Sequence, residues 1–174
     1  MKAVLDTNVL IDFFRNPNHK EQFEAKTLRP QFFMSSVVAM ELFAGCRTKR
    51  QQSELKSFLK PFERAKRVFT PDHSAFLEAG IVLARLGAQG VDIVRRRQLV
   101  NNILVAVTAA RAGAVVITAN ARDFTLIEVY AQVRWMLPVY DRCAAAARVS
   151  ATAAAQRSTP AHNCKSTTRR NSLS

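Results

Sequence analysis

Side chains able to bind a metal ion or activate water are spread widely along the chain. Asp6 follows the apolar segment KAVL, Glu41 lies within SSVVAMELFAG, and Asn120 and Asp123 follow the apolar segment AVVIT. Carboxylates that gather in one place repel each other unless a positive charge compensates them. A hard divalent cation does so with one or two carboxylates and several waters as ligands. Around such an ion the available chemistry is water activation and charge neutralisation at a phosphodiester.

The elements that must position these residues alternate between strands and helices. Five short apolar segments predict strands: KAVLD, QFFMSS, KRVFTP, AVVIT and, at an edge because of Pro138, WMLPV. Helical spacing and caps predict helices in six segments: VLIDFFRN, residues 19–28, VVAMELFAGC with Ser36 as N-cap, QQSELKSFLKPFE, DHSAFLEAGIVLARLG with Asp72 as N-cap, and RRRQLVNNILVAVTAARAG. A turn is predicted between AVVIT and WMLPV. The alternation predicts an α/β protein with a mostly parallel sheet covered on both sides.

Ligands of open parallel sheets bind at the carboxyl ends of the strands, and the acids fall at that edge. Asp6 closes the first strand, and Asn120 and Asp123 follow the strand AVVIT. Glu41 lies in the second turn of the helix after the second strand. Asn102 lies early in the helix before AVVIT. The sequence therefore predicts that acids from distant segments converge on one site.

Simpler interpretations of the same residues remain open at this point. Asp6 is a suitable helix N-cap, and Asn102 a plain residue at a helix start. Glu41 could be a solvated helix acid, and Asp123 a turn residue. None of these alternatives requires a metal ion.

The charge of the chain favours a polyanionic partner. Its 174 residues contain 26 Lys and Arg against 13 Asp and Glu, a net charge of +13. Such a surplus attracts nucleic acid first and acidic membrane second. The run Arg95, Arg96 and Arg97 leads into the helix of Asn102, and we interpret it as a candidate site for substrate phosphate; a solvated charge run is the alternative.

Composition divides the chain into a domain of residues 1–141 and a tail of residues 142–174. The tail holds six of the 26 basic residues and no acid or aromatic residue. Such a segment buries too little apolar area to offset the entropy of ordering, so it is predicted to be a disordered basic tail.

The cysteines, the histidines and the apolar runs predict a cytoplasmic protein without a membrane span. The three cysteines and three histidines are scattered, which predicts reduced thiols and no zinc site. The apolar run of residues 103–119 is split by Arg111 and Gly113 into pieces too short for a bilayer. Asp6 interrupts the only candidate signal peptide.

Four segments together resemble the PIN-domain nucleases, above all the VapC-type toxins of bacterial toxin–antitoxin systems. They are DTNVLID, SSVVAMELFAG, NNILVAVTAARAGAVVITANARDF and LPV, within residues 1–140. The resemblance implies a PIN-like three-layer α/β/α sandwich and a metal-dependent endoribonuclease. It also implies an RNA substrate, a homodimer, and a cognate antitoxin that masks the site partly through an inserted basic side chain.

The resemblance also implies roles for individual positions. Asp6, Glu41 and Asp123 fall on the first, second and fourth acids of the family, as catalytic residues and ligands of Mg²⁺ or Mn²⁺. Three polar residues match the positions expected to contact a water or the substrate: Thr7, Asn8 and Asn120.

Asn102 falls on the third acid of the family and is a departure from its pattern. An amide oxygen still binds a metal, but the lost charge weakens the attraction by several kcal/mol at an effective dielectric of about 20. We therefore expect metal ligation by Asn102 without a second full metal site, and an impaired nuclease. The alternatives are a catalytically inactive PIN-like module that binds RNA or an antitoxin and, ranked last, a structure-specific DNA nuclease.

Overall fold

The computed structural model describes residues 1–16, 31–93 and 96–138. In these ranges the strands are β1 (Lys2–Leu5), β2 (Gln31–Ser35), β3 (Val68–Phe69), β4 (Val115–Ile117) and β5 (Arg134–Met136). The helices are α1 (Thr7–Arg15), α2 (Ser36–Gly45), α3 (Lys49–Arg64), α4 (His73–Ala88), α5 (Arg97–Arg111) and α6 (Ala121–Ala131). The predicted helix at residues 19–28 and the predicted tail at residues 142–174 lie outside the described residues.

The five strands form one sheet in the order β3-β2-β1-β4-β5, and every neighbouring pair is parallel. The predicted α/β/α sandwich with a mostly parallel sheet is confirmed, and β5 occupies an edge as predicted. From β1 the chain moves outward through β2 and β3, then returns to the other side of β1 as β4. The strand order thus reverses between β1 and β4. This reversal is the switch point of the sheet, where open α/β sheets form a ligand crevice.

The two strands at this reversal are buried because their residues are apolar on both faces. Val115, Val116 and Ile117 of β4 are all buried, as are Ala3 and Val4 of β1. Parallel strands of this composition need helices over both faces of the sheet. The packing of the core therefore fixes the positions of the carboxyl ends of β1 and β4.

Helix α5 is the most buried helix, with every residue from Asn102 to Ala109 buried. It contacts α4, α6, α2 and β4. Its polar first turns consequently lie at a fixed place beside the ends of β1 and β4. Within the described ranges, no helix combines the length and the apolar character needed to cross a bilayer.

Two helix starts differ from the sequence-based prediction. The N-cap of α2 is Ser35, whose side chain accepts from the Val37 amide at 3.2 Å, and not Ser36, which is already helical. The predicted turn after AVVIT is wrong, because helix α6 begins at Ala121. Asn120 caps it by accepting from the Asp123 amide at 3.3 Å, and the buried Phe124 begins its apolar face.

Candidate active site

Asp6 lies at the carboxyl end of β1 and is 3% exposed. Its carboxylate accepts three hydrogen bonds. Oδ1 accepts from the Thr7 amide at 2.7 Å, and Oδ2 accepts from Asn8 Nδ2 at 2.9 Å and Thr118 Oγ1 at 2.6 Å. Asp6 is also the N-cap of α1, so the cap interpretation and the site interpretation are both compatible with its position.

Burial raises the pKa of the Asp6 carboxyl above its ordinary value of 3.8. The negative charge of Glu41 raises that pKa further, whereas the hydrogen bonds from Thr118, Thr7 and Asn8 lower it. A carboxylate that is both desolvated and close to a second acid favours a nearby positive charge.

Glu41 lies in the second turn of α2, as predicted, and is partly buried. Its Oε1 accepts from Asn101 Nδ2 at 2.7 Å, and its Oε2 accepts from the Thr7 hydroxyl. Thr7 therefore contacts both acids, through its amide to Asp6 and through its hydroxyl to Glu41. The first two acids of the predicted set lie on either side of one residue.

Thr118 connects the end of β4 to the end of β1. Besides donating to Asp6, its hydroxyl accepts from Asn8 Nδ2 at 3.3 Å and from the Asn120 amide at 2.9 Å. Asn8 Oδ1 in turn accepts from the Ala119 amide at 3.2 Å. These bonds fix the polar residues after β1 and β4 against each other.

Asp123 is 7% exposed and lies in the first turn of α6. Its Oδ1 forms an ion pair with Arg96 Nη2. Its Oδ2 accepts from Asn102 Nδ2 at 3.1 Å and from Asn120 Nδ2 at 3.0 Å. The buried carboxylate is thus surrounded by N–H donors from three separate side chains.

The predicted site residues form two neighbouring groups. One contains Asp6, Glu41, Thr7 and Asn8, and the other contains Asp123, Asn102, Asn120 and Arg96. Thr118 and Asn120 join the groups by hydrogen bonds. Arg97, the first residue of α5, is exposed, and Arg95 lies outside the described residues.

Sequence reasoning missed two residues of the site, Thr118 and Asn101. Thr118 directly follows β4, so the strand-end rule that selected Asp6 selects it too. Asn101 precedes Asn102 on α5 and reaches Glu41 instead of Asp123. Its side chain points to the other group because neighbouring helix positions differ in direction by about 100°.

Asp6 and Glu41 fit a divalent cation better than Asp123 does. An ionised carboxylate offers about four lone-pair positions, so all three acids keep a position beyond the two bonds that Glu41 accepts and the three that Asp6 and Asp123 each accept. Asp123 differs because one of its bonds comes from a cationic guanidinium, which already supplies a positive charge. Among the described residues no group of three or more His, Cys, Asp or Glu could hold a metal ion. A ligand set of all three acids stays a prediction.

An all-parallel five-stranded sheet with buried acids at its switch point defines a three-layer α/β protein with a polar site between β1 and β4. The family model of the PIN domain matches residues 3–131. The chain belongs to the PIN-domain family, whose members are generally nucleases. A comparison with curated protein sequences gives no match.

Solved structures support the same assignment. The chain is similar to the DNA-bound VapBC of Salmonella typhimurium, with 28% identity and a TM-score of 0.58 over 79% of this chain and 98% of that one. It is also similar to VapBC-1 of nontypeable Haemophilus influenzae, with 23% identity and a TM-score of 0.56 over 78% and 97%. FitAcB of Neisseria gonorrhoeae matches at 19% identity and a TM-score of 0.58 over 78% and 97%. The predicted resemblance to VapC-type PIN proteins is confirmed.

Proposed function

We propose that this chain is a divalent-metal-dependent endoribonuclease that acts in the cytoplasm as the toxin of a toxin–antitoxin pair. The observation that carries the proposal is the pairing of Asp6 and Glu41 around Thr7 at the switch point of a PIN-domain sheet. The likeness to VapBC of Salmonella typhimurium supports the toxin assignment.

Asp6 and Glu41 are the residues that would hold Mg²⁺ or Mn²⁺. Such an ion lowers the pKa of a water and neutralises charge at a phosphodiester. The chain's own contribution is orientation: Thr118 and Asn8 hold the Asp6 carboxylate, and Thr7 and Asn101 hold that of Glu41. Asn120, which caps α6 beside Asp123, is proposed to face a water or a phosphate oxygen.

The charge distribution supports a nucleic-acid substrate, as the proposed RNA is. The chain carries +13 overall, whereas its site contains three carboxylates. Basic surface attracts the phosphate backbone from a distance. The local acids then need a cation before a phosphate approaches them, which supports the proposed metal dependence.

A cavity next to Glu41 supports an antitoxin as partner. It has a volume of about 460 Å³ and lies between α1, α2 and α3, with apolar walls that include Ile11, Phe14, Leu42 and Leu55. Glu41, one of the two proposed metal ligands, lines this cavity together with Glu54. Such a cavity suits an apolar segment that carries a basic side chain, as expected of an antitoxin.

A homodimer is proposed from the exposed apolar face of α4. Phe76, Leu77 and Ile81 are 53–58% exposed. Gly80 lies among them and has no atom within 4 Å of where a Cβ would stand. Large exposed apolar side chains on one helix face favour contact with a second protein surface.

A second candidate function is an inactive PIN-like module that binds RNA or an antitoxin without cleavage. Asn102 in the position of an acid, and the ion pair between Arg96 and Asp123, favour it. Both features reduce the negative charge that a metal ion would meet beside Asp123.

Cleavage of single-stranded RNA distinguishes the two functions. The enzyme is expected to cut in Mg²⁺ or Mn²⁺ and to stop in excess chelator. Asp6→Asn and Glu41→Gln should each abolish cutting, whereas Glu54→Gln, an exposed acid paired with Arg50 on α3, should not. Metal-independent cutting, or equal activity of all three variants, would contradict the proposal, and RNA binding without cutting would favour the second candidate.

A further inference from the structure

The ion pair between Arg96 and Asp123 places a positive charge inside the candidate site. Asp123 is buried and its carboxylate meets the Arg96 guanidinium directly. The adjacent amides of Asn102 and Asn120 both direct N–H groups to the second oxygen of Asp123. This half of the site is therefore balanced in charge by the protein alone.

This charge balance depends on position 102 being an amide and not a carboxylate. A carboxylate there would face Asp123 across the 3.1 Å that now separates Asn102 Nδ2 from Asp123 Oδ2. Two such carboxylates cannot both be ionised without an added cation. With Asn102, one guanidinium neutralises the single charge of Asp123.

The Arg96 guanidinium has N–H donors beyond the one that it directs to Asp123. A guanidinium carries five N–H donors in a rigid plane, which suits the oxygens of a phosphate. No side-chain partner of Arg96 other than Asp123 is present in residues 1–16, 31–93 and 96–138. The Arg96 side chain is 26% exposed and lines a cavity of about 790 Å³, together with Arg122 and Asp92.

We propose that Arg96, anchored on Asp123, is the built-in cation of this half of the site and positions a phosphate of the RNA chain there, in place of a second metal ion. Asp123 is then the anchor of Arg96, and Asp6 and Glu41 hold the single divalent ion. This inference rests on the proposed function, since it assigns a phosphate contact to that nuclease site.

The test measures RNA binding without metal, so that cleavage does not enter. The full-length chain is titrated against a labelled single-stranded RNA in EDTA at several salt concentrations, with fluorescence anisotropy as the readout. Arg96→Gln removes the charge while keeping an amide donor for Asp123. Arg96→Lys keeps the charge and loses the planar fork. Arg111→Gln is the matched control, because Arg111 lies at the other end of α5 in exposed pairs with Asp72 and Glu78.

Arg96→Gln is expected to lower RNA affinity about tenfold. The slope of log affinity against log salt should fall by about 0.7, the value for one phosphate contact on a single strand. Arg96→Lys should keep the slope with intermediate affinity, and Arg111→Gln should match the wild type within about twofold. Equal losses in Arg96→Gln and Arg111→Gln would overturn the inference.

Two results separate this inference from the proposed function. If wild type cuts RNA and Arg96→Gln binds RNA as wild type does, the inference fails and the nuclease stands. If wild type binds no RNA in EDTA even at low salt, the inference fails, whereas the nuclease proposal is decided separately by cleavage in Mg²⁺ or Mn²⁺. Thermal melting in EDTA verifies that each variant is folded before the comparison is made.

Counting bound Mn²⁺ tests the replacement of a metal ion by Arg96. Wild type is expected to bind one Mn²⁺, and the double variant Asn102→Asp with Arg96→Gln two, because that variant restores an acid and removes the tethered cation. Two ions in the wild type would overturn the inference.

Discussion

Thr118 Oγ1 donates to Asp6 Oδ2 at 2.6 Å and so joins the ends of the neighbouring strands β1 and β4. The same hydroxyl accepts from Asn8 and from the Asn120 amide, which uses its one donor and two acceptor positions. One fully buried threonine thus sets the orientation of residues on both sides of the switch point.

Replacing Thr118 by valine should impair the site while keeping the shape of the side chain. Thr118→Val removes a donor to a charged group and leaves Asn8 and the Asn120 amide without this acceptor. We expect a loss of about 1–3 kcal/mol in the free energy of unfolding and at least a tenfold loss of RNA cleavage. Urea denaturation and single-turnover cleavage measure the two effects.

Thr108→Val is the matched control for Thr118→Val. Thr108 is also a buried threonine, but its hydroxyl donates to Leu104 O within its own helix at 2.7 Å. Thr108→Val should lower the free energy of unfolding, and its RNA cleavage should fall no further than the loss of folded protein explains. Equal losses of cleavage in the two variants would argue against a positioning role for Thr118.

The stability of the metal-free protein should depend on pH through Asp6. The folded-state pKa of Asp6 is raised above its ordinary value of 3.8, chiefly by burial. The contribution of this group to stability is therefore fully present below the unfolded-state pKa and is lost as pH rises through the folded-state pKa. The free energy of unfolding of wild type, minus that of Asp6→Asn, should fall as pH rises from about 4 and then become constant.

Urea denaturation in EDTA across this pH range measures that difference. At neutral pH, adding Mg²⁺ should then stabilise wild type by about 2.7 kcal/mol at a hundred times its dissociation constant. Asp6→Asn should show little of this gain. A difference that rises with pH would mean that the pKa of Asp6 is lowered in the folded state.

The strands and the convergence of the acids could be read from sequence because each depends on local pattern. A run such as AVVI, apolar at every position up to Thr118, is typical of a strand covered on both faces, and Asp6 follows a similar run directly. The strand-end rule then brings Asp6 near the residues after β4 without any knowledge of side-chain contacts.

The partners of Asp123 could not be read in this way. Its bonds to Arg96 and Asn102 span 27 and 21 residues and depend on how α5 and α6 pack. Helix α6 replaces the predicted turn, although Asn120 as N-cap and the spacing of Phe124 and Ile127 are local signals for a helix. Arginine pairing of this kind leaves no periodic pattern in the sequence.

Asn102→Asp should make the stability of the folded protein depend on a bound metal ion. In EDTA the new carboxylate faces Asp123, and the repulsion should lower the free energy of unfolding by about 1–3 kcal/mol relative to wild type. Mg²⁺ or Mn²⁺ should restore more stability to this variant than to wild type, and cleavage should increase. Thermal melting with and without metal, beside an RNA cleavage assay, measures both effects.

Asn102→Ala is the control for Asn102→Asp, because it removes the amide without adding charge. It should be destabilised equally in EDTA and in metal. If Asn102→Asp gained neither stability nor cleavage from metal, position 102 would have no connection to metal binding in this chain.

The exposed face of α4 should control the oligomeric state. Ile81→Arg places a charge among Phe76 and Leu77, and burying an unpaired charge in an apolar interface is strongly unfavourable. Light scattering after size exclusion should show a dimer for wild type and a monomer for Ile81→Arg at the same concentration. Val129→Arg is the matched control, since Val129 on α6 is 69% exposed and should tolerate the same change. A dimer that survives Ile81→Arg and dissociates with Val129→Arg would assign the interface to α6 instead, because only the helix buried between two copies is sensitive to an added charge.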